Sequence, residues 1–507
     1  MSGDGPSAGA LPGAAGPSTT LALGKRALTN TLLRTGAEIV GRLASLALFV
    51  EAGRTFGQSG LGAFVFAVAF LGFVMVAVDL GLDRWMLRTI ARERAASDHL
   101  FFNVLTLKLA LALPLFGAAL LVLHLVGYSH LAQATTLALA VGVFSDSVAR
   151  SQLSVFLAHE RGAAPAFADA VNRVSSAVLG IAALKAGYGV VAVAGAYSIG
   201  SAISVLIGFA LLARTVGVPA RAFDPRRWRT IAGESIPFAT QDVFTIILAR
   251  VDTLLLSVIA TQAIVGRYGA AYRLFESSLV VTYALAGAFA AMYTYLGRDT
   301  SPSLGFVFQR SIKLALTLLM PVAVVFAVLA RPVCRLLYGP AFAASATPLR
   351  ILAPTVVVLG VVVLTSSLMV SRESPRRIVW LTAAIALINL ALNLILIPPY
   401  SDAGAAVAML VSEVLFAAWL LRLAHRVVGG IEWLPTVSGP FTAGVCMAFV
   451  AALLHFSLPL ALVSGTLAYV LAMLTVERIV SPRDIEDFVR MLRRESLRGR
   501  RDAERTR

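Results

Sequence analysis

The feature that constrains this chain most is the repeated return, between Leu28 and Arg478, of apolar runs about 20 residues long. A helix rises roughly 1.5 Å per residue, so each run crosses a hydrocarbon layer roughly 30 Å thick. Of the 507 residues, 58% are apolar and only 14% charged. Soluble domains carry about one-quarter charged residues, so the lipid bilayer is the solvent in which this core forms.

Read between loop signals, the runs place spans near 29–50, 60–80, 100–126, 131–157, 169–186 and 190–213. An Arg-rich segment containing Pro219 and Pro225 follows. Six more spans lie near 235–260, 267–297, 307–330, 346–370, 377–398 and 403–427, with a last pair near 437–457 and 459–478. The sequence thus predicts an all-α polytopic membrane protein of about 14 transmembrane helices. Its divisions are a disordered cytoplasmic tail (1–27), an N-lobe (28–213), a basic cytoplasmic linker (214–234), a C-lobe (235–428), a helix pair (437–478) and a basic amphipathic cytoplasmic tail (479–507).

The net charge of +16 would point to nucleic acid in a soluble protein. Here its placement decides otherwise, and no nucleic-acid partner is expected. With the N-terminus inside, outer loops hold only Arg54, Lys185, Arg267, Arg331 and Arg335, whereas ten basic residues follow from Arg478 on alone. Retention of positive charge on the cytoplasmic side puts both termini there. The chain holds 39 Arg and four Lys, a bias that genome base composition explains as well as function does.

The two halves repeat. Gly62-Ala63-Phe64 opens the second span as Gly266-Arg267-Tyr268 opens the eighth, 204 residues later. Lys108, inside Leu107–Leu113, recurs as Lys313 inside Ile312–Leu318, with Pro114 and Pro321 following. The loop from Arg331 to Ala346 is longer than its counterpart Gly127–His130, which reads as an insertion. Six spans per half is an even number, so the halves are related by a pseudo-two-fold along the membrane normal, with a cavity between them.

Residues 1–24 are too poor in large apolar side chains to pack. At the other end Ser481-Pro482-Arg483-Asp484 has a capping-box pattern, and Ile485, Phe488, Val489 and Leu492 form an apolar stripe beside Arg490, Arg493 and Arg494. That tail is expected to lie on the anionic inner leaflet.

No catalytic signature emerges. Gly24-Lys25 lacks the glycine and the Ser or Thr of a phosphate-binding loop, so transport energy is expected from a proton or sodium gradient, with no bound cofactor. Six scattered histidines offer no metal-ligand spacing, and Cys334 and Cys446 imply no disulfide. The functional candidates are ionisable residues within spans, where an uncompensated charge is costly. Arg34, Glu38 and Arg42 share one helix face, Arg250 and Asp252 lie inside span seven, and Arg273 and Glu276 sit in span eight. Guanidinium forks facing a cavity suit the phosphates of a lipid carrier. Asp242 with Asn389 and Asn393 is the candidate set for a coupling cation, interhelical hydrogen bonding being the plainer reading of the asparagines. Asp146–Arg150 and Asp169–Arg173 are expected as mutually neutralising pairs, and Lys108 and Lys313 as chains reaching back to the headgroups.

Four segments carry a family resemblance: Arg250-Val251-Asp252-Thr253-Leu254-Leu255-Leu256, Val265 through Leu274, Leu336-Leu337-Tyr338-Gly339-Pro340-Ala341-Phe342, and Asn389 to Glu413 with Ile397-Pro398 and Gly404-Ala405-Ala406. In order and spacing they resemble bacterial polysaccharide and oligosaccharide flippases of the multidrug/oligosaccharidyl-lipid/polysaccharide exporter superfamily. The resemblance implies a two-lobe fold in the bacterial inner membrane. It implies alternating access, carrying undecaprenyl-diphosphate-linked sugar units to the outer leaflet for exopolysaccharide, capsule or O-antigen, with polymerase or export machinery as possible partners. By helix position it implies cavity roles for Arg34, Glu38, Arg42, Arg250, Asp252, Arg273 and Glu276. The alternatives are a flippase for the lipid-linked peptidoglycan precursor or a cation-coupled drug exporter. A membrane glycan polymerase or ligase is disfavoured by the short outer loops.

Overall fold

A computed structural model describes residues 17–94, 97–161, 163–217, 223–296, 302–372 and 375–480. The helices are α1 (Pro17–Asp79), α2 (Leu82–Arg92), α3 (Ser97–Val126), α4 (His130–Ala158), α5 (Ala163–Lys185), α6 (Val190–Thr215) and α7 (Trp228–Ile259). They continue as α8 (Gln262–Leu296), α9 (Pro302–Val328), α10 (Ala330–Tyr338), α11 (Ala346–Arg372), α12 (Pro375–Val428), α13 (Trp433–Leu453) and α14 (Leu458–Val480). No strand occurs among the described residues.

The fourteen helices are not one-for-one the fourteen expected spans. α1 reverses at Gly57, whose φ of 65° lies in the left-handed region that a residue without Cβ adopts freely. The reversal brings the rings of Phe49 and Phe64 to 6.4 Å, a distance that fifteen residues of straight helix could not give. α12 reverses at Ser401, just after Pro398 and Pro399, and carries the Asn389 amide to 3.1 Å from the Ser412 hydroxyl. Each therefore supplies two crossings. Among the described residues eleven helical stretches are long and apolar enough to cross a membrane, and both double helices count once among them. α7, charged at Asp242, Arg250 and Asp252, is not among the eleven.

α2 and α10 are the short elements that hydropathy passes over. α2 buries Leu82, Trp85, Met86 and Ile90, one stripe at helical spacing, and leaves its arginines outward. α10 occupies the segment read as an insertion, burying Ala330, Cys334 and Tyr338. Its last carbonyls, Leu336 O and Leu337 O, accept from the Arg54 guanidinium at 2.6 and 2.5 Å, the cation sitting where the helix dipole favours it.

Other boundaries move as well. α1 begins at Pro17, ahead of the expected tail boundary, and α7 begins at Trp228, inside the expected linker. Nothing in either sequence breaks the helix where apolarity ends. Residues 1–16, 218–222 and 481–507, including the amphipathic tail, lie outside the described residues.

The turns at Gly57 and Ser401, the α3–α4, α5–α6 and α7–α8 connections and α10 define one face of the bundle, here the hairpin face. α2 and the α6–α7 linker define the opposite, linker face. The repeat shows where the two halves meet on the hairpin face. A Cβ on Gly62 would strike the Gln262 carbonyl, and one on Gly266 would strike the Gln58 carbonyl. Gly62 and Gly266 are offset by 204 residues, as are Gln58 and Gln262, so the contact is reciprocal, as a two-fold between the second half of α1 and α8 requires. On the linker face α2 lies along α7, where Trp85 Nε1 donates to Glu234 (3.1 Å), Arg88 stacks on Phe238 (6.0 Å) and Arg84 pairs with Asp242 (2.8 Å). Those α7 partners recur at four-residue steps, one helix face. α13 and α14 pack on α9, outside both halves.

Gly62→Ala forces a methyl into backbone, and overpacking of this kind costs about 1–3 kcal/mol. The purified full chain should unfold at a lower temperature, and a cysteine introduced at Val65 should react faster with an impermeant thiol reagent from the hairpin face. Wild-type stability and reactivity would show that the crossing is not tight.

Candidate functional site

Between the halves lies a cavity of about 510 Å³, within the range of small-ligand sites. The first half of α1 offers it Glu38, Ser45 and Phe49, four to seven residues apart on one face. α7 offers Arg250 and Thr253, and α8 offers Tyr272, Arg273 and Glu276.

Three guanidiniums converge on Glu276. Arg250 Nη2 donates to Glu276 Oε1 (3.2 Å), Arg273 Nη1 to Glu276 Oε2 (2.8 Å), and Arg42 Nη1 to the Glu276 carbonyl (3.3 Å). Arg42 also holds Glu38 at 2.7 Å, and Arg273 reaches the Ser45 hydroxyl. Each cation rests against an aromatic ring: Arg42 on Tyr283 (5.7 Å), Arg250 on Tyr272 (5.4 Å) and Arg273 on Phe49 (5.5 Å). Three positive side chains thus share two carboxylates. One donor is unspent, since Arg273 Nε is buried with no hydrogen-bond partner among the described residues. Such an array has room and donors for an anion.

The expected cavity residues are therefore distributed as follows. Glu38, Arg250, Arg273 and Glu276 line the space, and Arg42 closes its edge through Glu38 and Glu276. Asp252 does not line it. The Tyr268 hydroxyl, Thr253 N (2.6 Å) and Thr253 Oγ1 (3.3 Å) donate to its buried carboxylate. Arg34 belongs to α1, with its side chain outside the described residues.

The opposite wall departs from the sequence reading. Asp169 and Arg173 do pair at 2.8 Å, but Asp146 and Arg150 do not. Arg150 instead reaches Asp79 at 2.6 Å, and Asp146 accepts from Tyr197 and from Asn172 (3.0 Å). All four of these charged residues line the cavity rather than merely easing insertion. Tyr197 and Asn172 carried no signal in the sequence, because a lone Tyr or Asn in an apolar helix has many readings.

Behind that wall Lys108 is fully buried and does not reach the headgroups. Its ammonium sits 3.0 Å from Asp79, 2.8 Å from Asp83 and 3.0 Å from Ser147 Oγ. Lys313, its repeat counterpart, bridges to Glu477 of α14 at 2.6 Å. The reason lies in the repeat. Positions matching Asp79 and Asp83 hold Tyr283 and Gly287, so the second lysine finds its acid on the outer helix pair.

The proposed cation set is spread apart. Asp242 is engaged by Arg84 on the linker face. Asn389 donates to Ser412 (3.1 Å) and the Ala408 carbonyl (3.4 Å), lacing the two halves of α12 together, and Asn393 donates within its own half to the Asn389 carbonyl (2.9 Å) and Oδ1 (3.1 Å). Among the described residues no cluster of His, Cys, Asp and Glu could hold a metal ion.

Comparison with known proteins bears on this arrangement. A family model described as "Polysaccharide biosynthesis protein" matches residues 27–291. The probable low-salt glycan biosynthesis flippase Agl15 of Haloferax volcanii is 22% identical over 406 residues, 78% of this chain and 84% of that protein. Among solved structures, the lipid II flippase MurJ in an inward closed conformation superposes with a TM-score of 0.76 at 15% identity, covering 90% of this chain and 100% of that one. An inward-facing multidrug resistance MATE family transporter of the MOP superfamily gives 0.64 at 16% identity, covering 79% and 98%. At such identities the superpositions establish the fold, which these transporters share with this chain.

Lys108→Met leaves Asp79 and Asp83 without the cation between them, and removing one partner of a buried ion pair costs about 3–5 kcal/mol. Thermal unfolding of the purified chain should show a large destabilisation, whereas Arg94→Ala, which breaks an exposed pair with Glu160, should be nearly silent. Equal effects would mean that the network carries no structural weight.

Proposed function

The chain belongs to the polysaccharide biosynthesis protein family, and from that premise we propose that it is a flippase, not an enzyme, which moves a diphosphate-linked oligosaccharide on a polyprenyl carrier across the membrane. The observation that carries the reading is the Arg42–Arg250–Arg273 cluster with its unspent Arg273 Nε. Arginine presents a rigid fork that matches phosphate oxygens two at a time. A diphosphate entering the cavity would take donors now spent on Glu276, and Glu276 would recover them when the anion leaves. Without that exchange, a site of three bare guanidiniums would hold its cargo too tightly to release it.

Charge placement supports an orientation, and on this reading the orientation gives the direction of transport. The linker face carries the arginines of α2, and positive residues stay on the cytoplasmic side, so loading occurs from the linker face and release at the hairpin face. The contacts along α7 at Glu234, Phe238 and Asp242 then form the cytoplasmic closure, and the Gly62–Gly266 crossing forms the outer one. Alternating access opens one while keeping the other. In a bacterial setting the carrier is undecaprenyl diphosphate and the products are exopolysaccharide, capsule or O-antigen. The related flippase name, probable low-salt glycan biosynthesis flippase, and the family description both favour a glycan cargo. A lipid-linked peptidoglycan precursor presents the same diphosphate, and the superposition on a lipid II flippase favours it as the second reading.

Arg42→Ala and Arg250→Ala should each abolish export of surface glycan in cells while the protein inserts at its normal level. In purified form, loss of charged hydrogen bonds worth about 1.5–3 kcal/mol each should weaken binding of undecaprenyl diphosphate roughly tenfold to a hundredfold. Binding and export at wild-type levels in the double variant would refute the cavity assignment. Competition between a peptidoglycan precursor and a diphosphate-linked oligosaccharide in the same assay separates the two cargoes.

A further inference from the structure

Among the described residues the buried acids are answered, with one exception. Asp79 and Asp83 face Lys108, Asp402 faces Arg267 in a two-pronged pair, Glu276 faces two arginines, Glu477 faces Lys313, and Asp146 and Asp252 accept from tyrosine hydroxyls. Glu413, in the returning half of α12, is only 4% exposed, and its Oε2 is a buried atom with no hydrogen-bond partner among the described residues. It follows Ser412, whose hydroxyl is occupied by the Asn389 amide and the Ala408 carbonyl.

An ionised carboxyl in that position would lie in an apolar surrounding with neither counter-charge nor donors, whereas the neutral acid would not bear that penalty. α12 packs against α7, α8, α9 and α11. Among the described residues of those helices, the titratable group that couples electrostatically to Glu413 is the Tyr283 hydroxyl of α8, and no lysine or arginine pairs with the carboxyl. Tyr283 is also the ring beneath the Arg42 guanidinium. A charge on Glu413 would thus act on the residue against which one arginine of the cluster rests.

We propose that Glu413 is the residue that binds and releases the coupling proton, a reading that rests on the transport function above. In the closed arrangement seen here the carboxyl holds the proton as an O–H. When the lobes part and water reaches it, that proton passes to water, and the carboxylate left behind acts on Tyr283, the ring on which Arg42 rests. Re-protonation from water on the other side is required before the halves close again. The array is poor for a metal cation. Among the described residues no group of acids, histidines or cysteines gathers around it, where hard cations take about six ligands.

Two measurements on the full chain in lipid test this. Acid-minus-alkaline infrared difference spectra should show a protonated-carboxyl C=O band in wild type that is lost in Glu413→Gln, a near-isosteric change whose folding is checked by thermal unfolding. An unchanged band in the variant overturns the proposal. In proteoliposomes carrying headgroup-labelled undecaprenyl-diphosphate N-acetylglucosamine, an imposed proton gradient should accelerate flipping by wild type, and Glu413→Gln should lose that acceleration. Acceleration retained in the variant, or produced by a sodium gradient in its place, likewise overturns it. If neither protein flips the probe, the transport reading fails, and the infrared comparison still decides whether Glu413 titrates.

Discussion

A charged side chain in hydrocarbon has to find its counter-charge within the protein, and the arrangement of this molecule turns on how that requirement is met. Lys108 is fully buried because Asp79, Asp83 and Ser147 surround it. That knot ties the end of α1 and the start of α2 to α3 and α4. Arg150 joins it through Asp79 while opening on the cavity. The N-terminal half is thus braced by charge behind one cavity wall, and the same knot fixes where α2 starts. With α2 fixed, its outer face meets α7 at Asp242 and Glu234. The structural ion network and the contact that closes the linker face are therefore mechanically continuous.

The repeat gives the complementary constraint. Gly62 and Gly266 let two backbones cross where any side chain would hold them apart. Symmetry is kept at that crossing and abandoned elsewhere. Lys108 and Lys313 occupy matching places, yet one is enclosed by its own half while the other holds α14. Two acids present in the first half and absent from the second account for the difference.

The cavity inherits both features. Its arginines come from α1, α7 and α8, elements drawn from both halves, so its geometry changes whenever the halves move relative to each other. Glu276 pairs with two of the guanidiniums at rest, and on the proposed reading it would compete with an anion that enters. Such competition would make binding reversible, which a carrier needs more than it needs affinity.

Much of this was legible in the sequence and some was not. The runs of apolar residues announced the crossings, because hydrophobic length is a local property. The 204-residue offset announced the paired glycines, and the charges of spans one, seven and eight announced themselves by being inside apolar segments. α2 was passed over although Leu82, Trp85, Met86 and Ile90 form a helical stripe, since its arginines read as loop charge. Partners were the harder matter. Arg150 has Asp146 four residues away and chooses Asp79, 71 residues away. Asp242 sits with Arg84 rather than with Asn389 and Asn393. By itself the sequence determined how many times the chain crosses and which residues would be costly to bury. Only the tertiary structure decided which charges answer one another and which acid is left unanswered, because in an apolar medium compensation depends on distances between helices that no spacing along one helix records.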